Sequence, residues 1–321
     1  MRYRKFAALF RGKPVTVISV VFPVFNNLET VKVTLAAILE QDLPSTLTHE
    51  VIVVDDGSAQ AMKSWLANLS DPRCKVISFT RNCGRSAARN AGVRAGSGEV
   101  VVFLDSDVIV GRRFLAEHAA TLGYGTENGH VPACAISLGR LIDTDTLTSA
   151  VDRPTPMTLP GPGHFTTANV AVLRSLLNRV QETPEGPFDA ATFTRYGWED
   201  LELELRLNKL SPKRARTNAA LGFHVCPVFT PDGLPAMIRK EVDRAAMAKA
   251  FYAKHPQFSV RMVTQLSPLH RALWEILSLG GLLNERSLRP LLARLAARGH
   301  GRLAEVIARH TILNPTYVRN L

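Results

Sequence analysis

Four short, largely apolar runs recur along the first third of the chain, and each one ends in polar or turn-forming residues. Their bounds are Val15–Phe22, Glu50–Val54, Lys75–Phe79 and Val100–Leu104. Consecutive apolar positions over this length are typical of strands that are buried on both faces of a sheet. Helix-like segments follow the runs, so the alternation predicts an α/β protein whose parallel strands carry helices on both faces.

Acidic residues stand where two of these predicted strands end. Asp105 and Asp107 follow the fourth run, and Asp55-Asp56-Gly57-Ser58 follows the second. Open α/β sheets bind ligands at the carboxyl ends of their strands. Paired carboxylates at such a place suit Mg²⁺ or Mn²⁺, which prefer oxygen ligands and usually share their coordination shell with substrate phosphates. The pattern therefore indicates a site for a diphosphate and a metal ion.

Further motifs stand in a fixed order around these acids. They are Pro23 with Phe25-Asn26, Asp55 through Ser58, Arg81-Asn82 through Gly92, and Gly98-Glu99 with Phe103 through Asp107. Together they resemble the family 2 glycosyltransferases over roughly the first third of the chain. The resemblance implies the GT-A fold, with a Rossmann-like, mixed sheet of the nucleotide-diphospho-sugar transferase type. It also implies a nucleotide-sugar donor, usually a UDP-sugar, and an inverting mechanism.

The same resemblance implies roles for single residues in the donor site. Asp56 would hold the uracil, Pro23 would lie against the nucleotide, and Arg89 would lie near the nucleotide or diphosphate. Asp105 would contact the ribose or the metal shell. Asp107 would bind the metal ion directly, and the implied cofactor is Mn²⁺ or Mg²⁺.

A second group of motifs lies downstream, in Thr166 through Ala171, Gly186 through Asp189 and Tyr196 through Leu207. It is similar to the carboxy-terminal half of galactosyltransferase-like catalytic domains. The similarity implies that the Glu-Asp pair at 199 and 200 opens a helix beside the acceptor and that Asp200 is the general base. The catalytic residues expected from it are Asp200 and Glu199, the acceptor-binding residues are Trp198 and Asn169, and His224 completes the metal shell.

Glycosyl transfer needs these residue types. When an anomeric C–O bond breaks, positive charge builds on the sugar ring and negative charge builds on the departing diphosphate. The site must therefore present a cation to the phosphates and a carboxylate to the incoming hydroxyl. Asp107 and His224 could hold the cation. Asp200 could accept the hydroxyl proton, with an expected contribution of about 10²- to 10⁴-fold, and the helix dipole would favour its ionised form.

Each motif also has a purely structural interpretation. The Asp55–Ser58 run could be a capped turn between a strand and a helix. Glu199 and Asp200 could be first-turn acids of a helix, His224 could be a hydrogen-bonded core histidine, and Trp198 could be a core residue. These interpretations do not predict the motifs together and in order, and the catalytic interpretation does.

Composition excludes some classes of protein. With 321 residues and 46% hydrophobic content, the chain is long enough to form one large catalytic domain with an appendage. It has no run of about 18 apolar residues, which a membrane-spanning helix would need. The four cysteines show no paired spacing, so neither a zinc knuckle nor a disulfide framework is expected. The basic amino terminus carries an apolar run too short for a secretory signal. We therefore expect a cytoplasmic protein.

The positive charge is concentrated in the last part of the chain. Residues 231–321 contain 14 lysines and arginines against 6 acids, within a net charge of +11 for the whole chain. Trp274 and its leucine neighbours lie among these arginines, which suits peripheral contact with the anionic inner face of a membrane. These leucines could instead pack on the catalytic domain or on a second subunit. Aromatic residues are not interleaved with the basic ones, so nucleic acid is not an expected partner.

The predicted organisation is a catalytic domain at 14–228 and a basic helical extension at 229–321. Within the domain, 14–122 forms the donor-nucleotide half and 123–228 forms the acceptor and catalytic half. A loop rich in proline and glycine, Asp152–Gly163, is expected over the site.

The leading hypothesis is an inverting, metal-dependent hexosyltransferase of polysaccharide biosynthesis. It would move a hexose or N-acetylhexosamine from a UDP-sugar to a hydroxyl of a saccharide or lipid-linked acceptor. Two alternatives stay open: a nucleotidyltransferase or retaining transferase on a similar sheet, and a non-catalytic nucleotide- or sugar-binding protein. A dinucleotide-dependent oxidoreductase is disfavoured because no Gly-x-Gly-x-x-Gly follows the first strand.

Overall fold

A computed structural model describes residues 15–125, 134–145, 147 and 165–321. The predicted loop Asp152–Gly163 lies outside the described residues. The chain divides into two compact units, of which the first contains the residues up to 189 together with 203–226. The second unit contains residues 190–202 and 227–321. Residues 190–202, which the sequence places in the catalytic half, thus belong to the second unit.

A mixed β-sheet forms the centre of the first unit. The strands found in the described part of the chain are β1 (Thr16–Val24), β2 (Leu47–Asp55), β3 (Cys74–Ser78), β4 (Val100–Leu104), β5 (Val108–Val110), β6 (Ile136–Thr144), β7 (Asn169–Leu173) and β8 (Arg214–Val225). Their spatial order is β3-β2-β1-β4-β7-β6-β8-β5. β1 pairs in parallel with β2 and β4, and β2 pairs in parallel with β3. β7 is antiparallel to both of its neighbours, β4 and β6, so the α/β class with a mixed sheet is confirmed.

Helices cover both faces of this sheet. They are α1 (Leu28–Leu39), α2 (Gln60–Ala67), α3 (Arg85–Ala95), α4 (Phe114–Thr121) and α5 (Arg174–Arg179). Side chains of a strand point alternately to its two faces, and so Val20 and Phe22 of β1 pack in one core with Val31 of α1. Val21, between them, packs in a second core with Phe103 of β4. Because both faces of β1 are buried, its sequence is a continuous apolar run.

The helix α6 (Glu199–Asn208) crosses the division between the two units. Its first turn belongs to the second unit, and its later residues belong to the first. In the first unit, Leu203 and Leu207 are fully buried in the core that also contains Phe103. Leucines at i and i+4 lie on one face of a helix, which explains how α6 is fixed there.

The second unit contains the predicted helical extension. After residue 227 the described helices are α7 (Leu234–Lys254), α8 (Phe258–Val263), α9 (Pro268–Leu277), α10 (Glu285–Ala297), α11 (Gly301–Ala308) and α12 (Asn314–Arg319). Ser267 caps α9 by accepting the His270 N–H, and Asn284 forms a capping box with Ser287 at the start of α10. Leu292 and Ile312 are buried in its core. Across the described residues, no helix is both long enough and apolar enough to cross a bilayer.

Gly92 allows α3 to approach β1 closely. A Cβ added at Gly92 would lie 2.5 Å from Cγ1 of Val21. Val21 is fully buried and β-branched, so its side chain has no free space to move into. The helix α3 can therefore lie this close to β1 only because residue 92 has no side chain.

We predict that Gly92→Ala lowers the free energy of unfolding by about 1–3 kcal/mol, because overpacking outweighs the gain in helix propensity of about 1 kcal/mol. Urea denaturation would show the loss as a lower midpoint. Gly111→Ala is the control, because nothing lies within 4 Å of a Cβ added there. Equal midpoints for the two variants would contradict the prediction.

Candidate functional site

The carboxyl ends of β1 and β2 are tied together at the predicted nucleotide edge. The Asn26 N–H donates to Oγ of Ser58 at 2.8 Å, and Oδ1 of Asn26 accepts the Ala59 N–H at 2.8 Å. Pro23, the penultimate residue of β1, lies opposite Val54 in the parallel register. The turn after β2 thus has the fixed shape that a strand-end ligand site needs.

Asp56 connects this turn to the loop that follows β3. Its buried carboxylate accepts the backbone N–H groups of Cys83 at 2.6 Å and Gly84 at 3.0 Å. Burial raises the pKa of Asp56, and the two N–H donors counteract part of that effect. Each carboxylate oxygen can accept a second hydrogen bond, so the uracil-binding role of Asp56 stays a prediction.

Arg89 and Asp105 form an ion pair inside the first unit. Arg89 is 1% exposed, and its Nη2 donates to Oδ1 of Asp105 at 2.9 Å. Its guanidinium carbon lies 5.7 Å from the centre of the Phe188 ring. Burial alone would raise the pKa of Asp105, but the charges of Arg89 and Arg85 outweigh burial and lower it. Arg89 therefore keeps Asp105 ionised, whereas the sequence predicts Arg89 beside the nucleotide or diphosphate.

Strand pairing brings Asp107 and His224 together. β8 is antiparallel to β5 and parallel to β6, so that His224 is paired with Val108 on one side and with Asp143 on the other. The Val225 N–H also donates to the Asp107 carbonyl at 2.8 Å. As a result, Nε2 of His224 lies 3.6 Å from Oδ2 of Asp107. The two residues that the sequence predicts as metal ligands are thus neighbours.

The donor atoms of this pair fit a divalent cation. Oδ1 of Asp107 is buried and accepts no hydrogen bond from the parts of the chain that the structure describes. A buried oxygen without a partner costs about 1–3 kcal/mol, and a bound cation would relieve that cost. Carboxylate oxygen suits Mn²⁺ and Mg²⁺, and imidazole nitrogen is a common metal ligand.

Two residues outside the sequence motifs, Asp143 and Cys226, also lie against His224. Nδ1 of His224 is 3.0 Å from Oδ1 of Asp143 and 3.3 Å from Sγ of Cys226. Cys226 could have been found, because residues two apart at the end of a strand share a face. Asp143 could not, because its position depends on pairing between distant strands.

The acids beside His224 change its proton affinity. The neighbouring Asp107 carboxylate, followed by hydrogen bonding to Cys226, raises the pKa of His224 to about 11, although burial acts in the opposite direction. His224 is therefore protonated at neutral pH as long as no metal ion is bound. From the sequence alone, His224 is expected to have an ordinary histidine pKa near 6.5. The pKa in the structure is higher than this expectation.

The predicted catalytic acids open α6, in the second unit. Gly197 and Trp198, directly before them, have φ angles of 104° and 75°. A positive φ is unusual for a bulky residue such as tryptophan, and strain of this kind is often found at functional sites. Glu199 is buried, whereas Asp200 is partly exposed. Asp200 is thus the more accessible of the two acids, and the N-terminal dipole favours its ionised form.

Glu202 anchors this first turn to α7. Its carboxylate is buried and lies 3.0 Å from Nζ of Lys254 and 3.0 Å from Nε2 of His255. The ammonium group of Lys254 gives the carboxylate a charge-assisted hydrogen bond, which is stronger than a neutral one. The first turn of α6 is therefore held in a defined orientation within the second unit.

Trp198 takes part in an aromatic cluster of the same unit. Its Nε1 donates to the Arg244 carbonyl at 2.9 Å. The ring centre lies 6.2 Å from that of Phe251 and 6.4 Å from that of Tyr317. Trp198 is still partly exposed, and its contact with an acceptor stays a prediction.

Asn169 does not fit the acceptor-binding role predicted for it. Its side chain is 1% exposed, Oδ1 lies 2.8 Å from Nε2 of His118, and Nδ2 donates to the carbonyls of Arg140 and Ala220. Burial lowers the pKa of His118 to about 4, so this ring is neutral. Both polar atoms of Asn169 are thus engaged inside the sheet.

Part of the chain matches a known family and several known proteins. Residues 19–136 match the family model of Glycosyl transferase family 2. The succinoglycan biosynthesis protein ExoO of Rhizobium meliloti is 38% identical over 90 residues, which are 28% of this chain and 25% of that protein. The bactoprenol glucosyl transferase of Shigella phage SfV is 37% identical over 93 residues, or 28% of this chain and 30% of that protein.

A solved structure resembles the chain over nearly its whole length. The mannosyltransferase PcManGT from Pyrobaculum calidifontis, in complex with GDP-Man and Mn²⁺, aligns with a TM-score of 0.54 and 18% identity, over 99% of this chain and 89% of that one. Among the curated relatives named here, the chain spans 25% and 30% of their own lengths. The fold class and the family resemblance of the first third are confirmed.

We predict that the affinity for Mn²⁺ rises with pH, by up to about tenfold per pH unit between about pH 6 and 8. The pKa of His224 is raised, so the proton stays bound through this range and a cation must displace it. Calorimetry in buffers of different ionisation enthalpy should count one proton released per ion bound. His224→Gln should bind Mn²⁺ more weakly and without this slope. A slope that persists in His224→Gln would contradict the prediction.

Proposed function

We propose that the protein is an inverting, metal-dependent hexosyltransferase, because residues 19–136 match the model of Glycosyl transferase family 2 and the fold resembles that of a solved mannosyltransferase. It transfers a hexose or N-acetylhexosamine from a UDP-sugar to a hydroxyl of a saccharide or lipid-linked acceptor. The observation that carries this proposal is the neighbourhood of Asp107 and His224, whose atoms lie 3.6 Å apart at the carboxyl edge of the sheet. The unsatisfied oxygen of Asp107 supports a cation at this place.

In this proposal, Asp107 and His224 hold Mn²⁺ or Mg²⁺. The cation, when bound, stabilises the negative charge of the departing diphosphate. Arg89 keeps Asp105 ionised and fixed through their 2.9 Å ion pair, so Asp105 can accept a ribose hydroxyl or a water of the metal shell. Asp56 and Pro23 contact the nucleotide from the ends of β1 and β2.

Asp200 is the proposed general base, with Glu199 beside it. The N-terminal dipole of α6 favours a carboxylate at this position and makes it a weak base. A weak base suffices when the hydroxyl proton leaves late, after the sugar has become oxocarbenium-like. The hydrogen-bonded Glu202 keeps the first turn of α6 in place.

The relatives guide the choice of donor and acceptor to test. Names among them refer to succinoglycan biosynthesis and to transfer of glucose to bactoprenol. They support a polysaccharide or a polyprenyl lipid as the acceptor to test. Because the PcManGT structure contains GDP-Man, a panel of UDP- and GDP-sugars with Mn²⁺, assayed for nucleotide release, tests the donor class.

The second unit is the proposed membrane-facing part, at the inner face of the bilayer. Leu269, Leu273 and Ile276 lie on one face of α9 at helical spacing, and Leu269 and Ile276 are 75% and 70% exposed. Residues 231–321 have 14 basic residues against 6 acids, which complements anionic lipid. Each basic residue near the surface would add about 1 kcal/mol.

Trp274 does not share this exposed face. Its Nε1 donates to Oε1 of Gln265 at 2.7 Å, and its ring centre lies 6.1 Å from that of His310. Trp274 also packs with Tyr317 in the core of the second unit. The expectation that Trp274 itself contacts lipid therefore does not fit, and the leucine face of α9 carries the proposal.

We predict that Asp107→Ala abolishes metal-dependent binding of UDP and leaves the fold intact, because a direct ligand is lost. Calorimetry with UDP and Mn²⁺ measures this. Asp42→Ala is the control, since Asp42 is an exposed acid paired with Arg112. Unchanged affinity in Asp107→Ala would remove Asp107 from the metal site.

We predict that Asp200→Asn keeps donor binding and loses transfer by about 10²-fold or more, because the amide cannot accept the proton. Glu199→Gln is the matched variant and should lose less. If only Glu199→Gln lost transfer, Glu199 and not Asp200 would be the general base. NMR of the product should show an inverted anomeric centre, and retention would contradict the mechanism.

We predict that the double variant Leu269→Glu and Ile276→Glu binds vesicles containing phosphatidylglycerol at least about tenfold more weakly than the wild type. Both side chains are exposed, so the fold should not change. Leu303→Glu with Val306→Glu alters charge equally at two exposed positions of α11 and should have a smaller effect. Equal losses in co-sedimentation, or binding that does not weaken with salt, would contradict the membrane role.

A further inference from the structure

We propose that Asp143, His224 and Cys226 form a second cation site, which takes a thiophilic divalent ion of the Zn²⁺ class. The site lies on the Nδ1 side of the His224 ring. The Asp107 carboxylate lies at the other ring nitrogen, Nε2. A single imidazole thus faces two different sets of ligands.

Main-chain hydrogen bonds hold the three residues of this site together. Asp143 and His224 are register partners in the parallel pair formed by β6 and β8. Directly after β8, the Cys226 N–H donates to the Thr144 carbonyl at 2.7 Å. The positions of the three side chains are therefore set by the sheet and do not depend on side-chain contacts alone.

The spacing of the donor atoms is close to that of a tetrahedral site. One oxygen, one nitrogen and one sulfur atom lie within 4.8 Å of one another. Ligand atoms around tetrahedral Zn²⁺ are about 3.4–3.6 Å apart, given Zn–N, Zn–O and Zn–S bonds of about 2.0–2.3 Å. Nδ1 is 3.0 Å from Oδ1 of Asp143 and 3.3 Å from Sγ of Cys226, so small side-chain movements open the space. The Asp143 side chain is 75% exposed and can make them.

The ligand types select the kind of ion. Thiolate is a soft ligand that favours Zn²⁺ over Mn²⁺ or Mg²⁺, which prefer oxygen. A thiolate and a carboxylate neutralise the double charge of the ion, and three protein ligands leave a fourth position for water. Among the described residues, the Asp107 side of the ring offers carboxylate oxygen and no thiol, so the two sides differ in the ion they prefer.

His224 makes the two sites mutually exclusive. A neutral imidazole has one nitrogen with a free lone pair and one nitrogen that carries a proton. When Nδ1 binds Zn²⁺, the proton lies on Nε2 and points to Asp107, so Nε2 cannot ligate the donor cation. When Nε2 binds that cation, Nδ1 donates its proton to Asp143. This exclusion rests on the proposed function of the Asp107 site, whereas the thiol-containing site itself does not.

Co²⁺ added to the full-length protein without nucleotide tests the site. A thiolate ligand gives Co²⁺ a strong near-ultraviolet charge-transfer absorption, and Zn²⁺ should displace that ion. The absorption should be lost in Cys226→Ser and much weaker in Asp143→Asn. It should persist in Asp107→Asn and in Cys83→Ser, which removes an exposed thiol elsewhere. Absence of the band in the wild type, or its persistence in Cys226→Ser, would overturn the site.

Competition with Mn²⁺, followed by the electron paramagnetic resonance of free Mn²⁺, tests the exclusion. Zn²⁺ should release bound Mn²⁺ from the wild type, and Cys226→Ser should need at least about tenfold more Zn²⁺ for the same release. Equal potency in the two proteins would overturn the exclusion. A cobalt–thiolate band in a protein that binds no Mn²⁺ would leave the thiol site standing and would refute the donor cation of the proposed function.

Discussion

The double pairing of β8 is the constraint on which the charged site of the first unit depends. Its carboxyl end lies between β5 and β6, and His224 is therefore flanked by acids on both sides. A shift of one residue in a strand turns every side chain to the opposite face. Such a shift would expose the buried Phe223. Gly222 permits the close approach of β8 to Val108 of β5, since a Cβ at Gly222 would lie 2.6 Å from Cγ1 of Val108.

Two acids of one short motif have different electrostatic surroundings. Asp105 is paired with the buried Arg89, and the pair fixes its charge. Asp107 has one buried oxygen without a hydrogen bond from the described residues, and its other oxygen lies 3.6 Å from Nε2 of His224. A carboxylate that is already neutralised by arginine has little reason to attract a cation, and one that is incompletely satisfied does. The difference supports the proposal that Asp107, and not Asp105, is the direct ligand.

The predictable parts of the structure are those encoded locally. Buried apolar runs predict strands because alternate side chains enter two cores. The same local pattern predicts that the acids after β4 lie at the end of a strand. Asp143 was missed because it meets His224 across 81 residues of chain, a pairing that no local pattern contains. Asn169 illustrates a related point, because a polar residue at the start of a strand gives the same sequence signal whether it faces a ligand or, as Asn169 does, a buried histidine.

The two outer strands of the described sheet have a bearing on self-association. An exposed strand edge can template pairing with another chain, and proteins limit this hazard with short strands and charged side chains. One outer strand, β5, has three residues, and the other, β3, has five and includes Lys75. Intermolecular β-pairing on β5 or β3 itself would therefore gain few hydrogen bonds. Short, charged outer strands of this kind let a wide sheet limit pairing with other chains without a covering element at those strands.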